Sequence, residues 1–154
     1  MALRDELKQT KPWTSLQEEA ALNIARTSAV IEHAFAQALK PFDLTPTQYN
    51  VLRILRGAGD IGLCRNAVGE RLVRRVPDVT RLLDRMEQDG LIARVRDGAD
   101  RRFVSTRLAA KGTEILERLD KEICGIHRQL LGHLRGEQLN QLIDLLTAVR
   151  DHQA

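Results

Sequence analysis

Residues 64–112 read CRNAVGERLVRRVPDVTRLLDRMEQDGLIARVRDGADRRFVSTRLAAKG, and this stretch decides the fold. Two short helical segments, 65–72 and 77–89, are joined by the turn 73–76 and followed at once by an arginine-rich hairpin, 91–108. In the second segment Val79, Leu82, Leu83 and Met86 fall at i, i+3, i+4 and i+7, an apolar face that must bury. Thr80, Arg81, Asp84, Arg85 and Gln88 fall on the other face. Pro77 is a good helix opener, and Asp89-Gly90 closes the segment. A helix that enters the major groove of DNA needs this division. Arg takes a guanine edge, Gln an adenine edge, and Thr a thymine methyl or a phosphate. Each good base contact discriminates by about 1–3 kcal/mol.

The hairpin is the second half of the signal. Strands are expected at 91–96 and 102–108, alternating apolar with polar or basic residues around the turn-rich tip 97–101. Arg94, Arg96, Arg101, Arg102 and Arg107 are read as a cluster around that tip. A basic hairpin beside a recognition helix suits arginine insertion into the neighbouring minor groove. Asp100, two residues before Arg102, offers a charge-assisted bond that would fix the tip.

Charge follows the same stretch. The 154-residue chain carries a net charge of only +3. Between Arg65 and Arg107 there are eleven arginines, no lysine and seven acids, a local excess of four. The rest of the chain is therefore slightly acidic, and the positive potential sits on the segment expected to read DNA. Arginine's planar fork suits both phosphate and guanine edges.

Working outward, residues 1–14 are expected to form a loose arm, with Pro12 stopping any early helix. A long helix is expected over 15–39, with Leu16, Ala20, Ile24, Ile31, Phe35 and Leu39 apolar, ended by Pro41. Thr45-Pro46-Thr47-Gln48 carries a capping hydroxyl, a proline at the first helical position and a capping-box Gln. Tyr49, Leu52, Ile54 and Leu55 continue that helix until Gly57 and Gly59 end it. Asn66 is the candidate cap of segment 65–72. Helices are expected again over 110–134 and 137–152. The last one carries Leu139, Leu142, Ile143, Leu145, Leu146 and Val149, a stripe wider than a three-helix winged lobe needs to cover. A second copy of the chain would cover it.

Leu44-Thr45-Pro46-Thr47-Gln48-Tyr49-Asn50-Val51-Leu52, then Val79 to Glu87 with Gly90-Leu91-Ile92, then Asp100-Arg101-Arg102 and Lys111-Gly112, resemble the multiple-antibiotic-resistance regulator (MarR) family. The resemblance covers roughly Ser15 to the end with its spacing kept. It implies a mainly α protein with a small β-hairpin wing, a winged helix-turn-helix with N- and C-terminal dimerisation helices. It implies a single domain over 1–154, with the DNA-binding lobe at 45–108 and the dimerisation helices at 15–40 and 110–152. Such proteins repress their own operon as homodimers on a pseudo-palindrome of double-stranded DNA. They release it when a small phenolic or aromatic carboxylate effector binds, or when a cysteine is oxidised. By position, 77–88 resembles the recognition helix, with Pro77, Asp78, Thr80, Arg81, Arg85 and Gln88 as DNA-binding positions. Asp100, Arg101 and Arg102 match the wing, 96–103, whose arginine enters the minor groove. Arg74 and Arg75 are expected at phosphates. Two positions depart from the family pattern. Ala109 stands where Thr is usual, which removes a helix cap. Pro77 stands where Ser or Thr is common, which removes one hydroxyl contact.

Other chemistry is sparse. Trp13, His33, Tyr49 and Arg53 are the aromatic and basic groups of the elements that would line the family's effector pocket. Cys64, at the start of a helix, is the candidate redox thiol, and Cys124 is expected to pack in an apolar run. His33, His127, His133 and His152 include no i, i+4 pair, so no metal site and no cofactor are expected. A Gly-rich phosphate loop and a nucleophile elbow are both missing, which argues against an enzyme. The N-terminus has no apolar signal core and no run reaches 18 apolar residues, which points to the cytoplasm and away from the membrane. The competing readings are a winged-helix protein-interaction module without DNA binding, a thiol-oxidation-sensing repressor, and a constitutive DNA-binding protein without an effector.

Overall fold

Three small polar side chains start the helices on which the rest is hung. Ser15 Oγ accepts from the Glu18 amide at 3.1 Å, Thr45 Oγ1 from the Gln48 amide at 3.2 Å, and Asp78 Oδ1 from the Arg81 amide at 2.9 Å. Each satisfies an amide that the first turn of a helix leaves without a partner. At Thr45 the bond is returned, since its own amide donates to Gln48 Oε1 at 2.8 Å, and the expected capping box is complete.

The structure is a computed structural model that describes residues 2–96 and 104–152. In chain order it contains α1 (Leu3–Glu6), α2 (Leu16–Leu39), α3 (Pro46–Ala58), α4 (Arg65–Arg71), α5 (Val79–Gln88), β1 (Ile92–Arg96), β2 (Val104–Leu108), α6 (Ala110–Leu131) and α7 (Gly136–Asp151). Short 3₁₀ turns occupy Lys40–Phe42 and Gly59–Ile61. β1 and β2 pair antiparallel, from Ile92 opposite Leu108 to Arg96 opposite Val104. Leu63 adds an isolated antiparallel bridge to β2, exchanging both backbone bonds with Thr106 at 3.0 and 2.7 Å.

One aliphatic core joins the lobe to the long helices. Leu39, Val51, Leu52, Leu55, Val68, Leu83, Met86, Leu116 and Leu119 are fully buried within a single cluster. Each such side chain contributes about 1.5–3 kcal/mol on burial. Among the described residues, Tyr49 is the only aromatic side chain buried in that cluster. α2 packs on α3 and α6, α3 on α4, and α4 on α5, so α3 links the helix-turn-helix to the long helices.

The chain leaves α5 through a Schellman turn. The Gly90 amide donates to Glu87 O and the Leu91 amide to Met86 O, both at 2.9 Å, with Gly90 at φ 73°. Leu91 O then accepts from the Ala109 amide at 3.1 Å, pinning the start of α6 beside the wing. Gly112 lies against this carbonyl: a Cβ there would sit 2.2 Å from Leu91 O and 3.2 Å from Leu52 Cδ2. Alanine in a helix normally gains about 1 kcal/mol over glycine. Here the obstructing atom is hydrogen-bonded backbone that cannot give way, and overpacking costs of about 1–3 kcal/mol or more prevail. Gly112→Ala is expected to lower the melting temperature by roughly 5 °C or more, read by calorimetry. A variant that melts at or above the wild-type temperature would contradict this packing.

Several expectations are corrected. The N-terminal arm is not loose throughout. Leu3–Glu6 forms a helical turn, Leu3 is buried, and Glu6 pairs with Arg26 of α2 at 2.5 Å. Gly57 lies inside α3, and Gly59 alone caps it. Cys64, not Asn66, is the N-cap residue of α4, and its side chain makes no cap bond. Pro77 precedes the cap rather than opening the recognition helix, because Asp78 takes the cap position. α6 stops at Leu131, with Gly132 as its C-cap, and α7 starts at Gly136. Cys124 is exposed, not packed.

Candidate nucleic-acid interface

Two caps and one buried stripe fix the orientation of α5. Leu83 and Met86 are inside, and Thr80, Arg81, Asp84, Arg85 and Gln88 are exposed on the opposite side. This is the division expected of a groove-reading helix. Asp78 also lies on this face, but its carboxylate holds the Arg81 amide. Its role here is to start the helix and set the first turn, from which Arg81 projects. Thr80 Oγ1 accepts from Arg65 Nη1 at 3.1 Å, so its hydroxyl is engaged in the DNA-free chain. Arg65, the first residue of α4, also bonds Asn66 Oδ1 at 3.3 Å. Sequence reasoning counted Arg65 in the basic excess but did not place it in the site.

The arginines divide into committed and uncommitted ones. Arg75, Arg81, Arg85 and Arg96 have no acidic partner among the described residues. Arg74, expected at a phosphate, instead pairs with Glu32 of α2 at 2.5 Å. Both side chains are largely exposed (68% and 49%), and such pairs contribute no more than about 1 kcal/mol. A phosphate can therefore displace Glu32. Arg94 and Arg107 do not belong to a cluster at the wing tip. Arg94 pairs with Asp84 and Glu87 of α5, and the stem of half-buried Arg107 lies against Gly62. Asp100, Arg101 and Arg102 lie outside the described residues.

Two open clefts border this face. One of about 610 Å³, between α4 and the start of α5, is lined among others by Arg65, Asn66, Arg75, Pro77 and Thr80. The other, of about 360 Å³, lies between α4, α5 and the wing, with Cys64, Leu83, Arg94 and Thr106 in its wall. Cys64 is half-buried there. Neither cleft includes Trp13, His33, Tyr49 or Arg53. Tyr49 is buried in the core, His33 and Arg53 are exposed, and Trp13 is half-buried. Tyr49 instead neighbours Phe35, ring centroids 6.5 Å apart, and Phe35 neighbours His127 at 5.3 Å. That aromatic group joins α2, α3 and α6, and no local pattern in the sequence announces it.

A capped recognition helix, a preceding short helix and a two-stranded wing define the winged helix-turn-helix class. Residues 44–104 match the MarR family model. The chain is 31% identical over 140 residues to an uncharacterised helix-turn-helix transcriptional regulator of Bacillus subtilis (strain 168), YkoM, covering 87% of this chain and 88% of that one. It is 30% identical over 112 residues to the homoprotocatechuate degradative operon repressor of Escherichia coli, covering 73% and 74%. Among solved structures it resembles a MarR transcription factor from Planctomyces limnophilus (34% identity, TM-score 0.66, 89% of this chain and 99% of that one). It also resembles the S. aureus MepR–DNA complex (26% identity, TM-score 0.77, 86% and 96%). The chain belongs to the MarR family and is a DNA-binding transcriptional regulator. No described helix is long and apolar enough to cross a membrane.

Proposed function

We propose that the chain is a homodimeric repressor of the cytoplasm that reads a pseudo-palindromic operator and is released by a small phenolic or aromatic carboxylate effector. The observation that carries the proposal is the exposed face of α5, where Arg81 and Arg85 have no acidic partner among the described residues while Leu83 and Met86 anchor the opposite side. In this reading Arg81, Arg85, Thr80 and Gln88 meet base edges in the major groove. Arg65, Arg74 and Arg75 meet phosphates. Arg102, with Asp100 and Arg101 beside it, takes the minor groove.

The dimer follows from α7. That helix buries no residue against the rest of the chain, and Leu142, Ile143, Leu145 and Val149 are exposed. Exposed Leu16 and Ile24 of α2 add to the apolar surface of the long helices. A stripe of this kind marks an interface, and the proposal assigns it to α2, α6 and α7 of a second copy. The similarity to the MepR–DNA complex and to the homoprotocatechuate operon repressor supports DNA binding and repression. The Phe35–Tyr49–His127 group, where α2, α3 and α6 meet, supports an aromatic effector near the junction of lobe and dimer helices.

A hydroxyl-radical footprint on DNA upstream of the chain's own gene tests the proposal. Two protected half-sites centred about one helical turn apart are expected, related by two-fold symmetry. A single protected half-site, or uniform protection, would count against it.

A further inference from the structure

Among the described arginines of the wing, Arg94 is the one that pairs with acids of the recognition helix. Strand alternation puts it on the side of buried Ile92, and its side chain is only 25% exposed. Its Nη2 donates to Asp84 Oδ1. Its Nε lies 3.5 Å from Glu87 Oε2, an ion pair without hydrogen-bond geometry, and its backbone amide donates to Glu87 Oε1 at 3.1 Å. Asp84 and Glu87 are three residues apart, so they share one edge of α5. A single residue thus fastens the base of the wing to two points of the recognition helix, by main chain and side chain together.

We infer that Arg94 is a positioning residue that sets the angle of the wing against α5, and not a contact to DNA. This deepens the functional reading above and rests on it. Leverage makes that angle matter. At about 3.3 Å per residue, β1 carries the chain some 13 Å from Ile92 to Arg96. A tilt of about 10° at the base therefore displaces the outer end of the strand by roughly 2 Å, and anything beyond it by more. That is a large error for a side chain that must enter a groove only about 6 Å wide. The Arg94 ion pairs are partly exposed and add little to folding stability, so binding and stability can be separated experimentally.

The test uses Arg94→Met and Arg94→Lys in the full chain, titrated against operator and random DNA over a salt series, with melting temperatures alongside. Arg94→Met is expected to weaken operator binding about tenfold or more. Its affinity for random DNA, and its slope of log affinity against log salt, should stay at wild-type values. Arg94→Lys, a point charge that cannot bridge both acids, is expected to lose part of the same discrimination. A direct phosphate contact would behave otherwise: both DNAs would lose affinity alike, and the slope would fall by about 0.9 per contact. That result, or wild-type operator affinity in Arg94→Met, would overturn the inference. If Arg94→Met does not fold, Arg94→Lys decides, and its full wild-type discrimination would overturn the inference equally. Wild-type protein that fails to prefer operator over random DNA would instead overturn the functional reading beneath it.

Discussion

Replacing Arg81 by alanine is expected to weaken operator binding by about 10- to 100-fold, the equivalent of one good bidentate base contact at about 1–3 kcal/mol. Arg81 stands in the first turn of α5, where a recognition helix meets base edges. Its backbone is fixed by the bond from its amide to Asp78, and its guanidinium has no acidic partner among the described residues. The side chain therefore reaches the groove without first breaking an ion pair, unlike Arg74. Because the lost contact is to a base, affinity for random DNA should change little, and discrimination at one position of each half-site should relax. Anisotropy titrations on operator variants and random DNA check this. An equal loss on both DNAs would reassign Arg81 to a phosphate, and no loss would remove it from the interface. Folding should be untouched, since the side chain is exposed and the cap belongs to Asp78.

The second large effect is expected from Ile143→Asp or Leu145→Asp. These side chains are 58% and 61% exposed in the single chain. In the proposed dimer each is buried, and two-fold symmetry places two charges in an apolar seam for every substitution made. Burying an ionised carboxylate without a partner costs far more than a surface helix gains from it. The variant should therefore elute as a monomer in light-scattering chromatography, with the winged lobe still folded because no residue of α7 is fully buried within its own chain. Operator affinity should fall by about 100-fold or more, because linked binding of two half-sites raises affinity by about 10²–10⁴ over one. A charged variant that remains dimeric with full operator affinity would place the dimer seam elsewhere.

These effects rest on parts of the chain that differ in how plainly the sequence announces them. The Thr45 capping box, the buried face of α5, the Asp89-Gly90 exit and the strands at 92–96 and 104–108 all come from neighbours within four residues, where spacing determines geometry. The helical turn at Leu3–Glu6 does not, because Glu6 pairs with Arg26, twenty residues on in α2, and local spacing does not announce that pair. Asp78 and Pro77 show a nearer conflict. Both are good at a helix start, and an Asp side chain that can accept the amide three residues on takes the cap, which leaves proline outside.

The candidate site is legible to the same depth. That Thr80, Arg81, Arg85 and Gln88 share an exposed face follows from helical period alone. That Arg65 bonds Thr80, and that Glu32 holds Arg74, follows only from tertiary packing between segments far apart in the chain. Arg94 lies between these cases. The alternation of β1 already sets it on Ile92's side, and Asp84 and Glu87 are spaced to share an edge. Counting arginines by sign alone hid that distinction, because a basic residue turned toward its own acids adds to net charge but not to the surface DNA meets.

Whether the exposed face of α5 reads sequence is decided by a fluorescence-anisotropy titration of the protein on the DNA upstream of its own gene and on random DNA, at two salt concentrations. Binding to the upstream DNA is expected to be tighter, by about 10³-fold or more, with both affinities falling steeply as salt rises and the release of counterions becomes less favourable. Equal, weak binding to both DNAs at both salt concentrations would contradict sequence reading by that face.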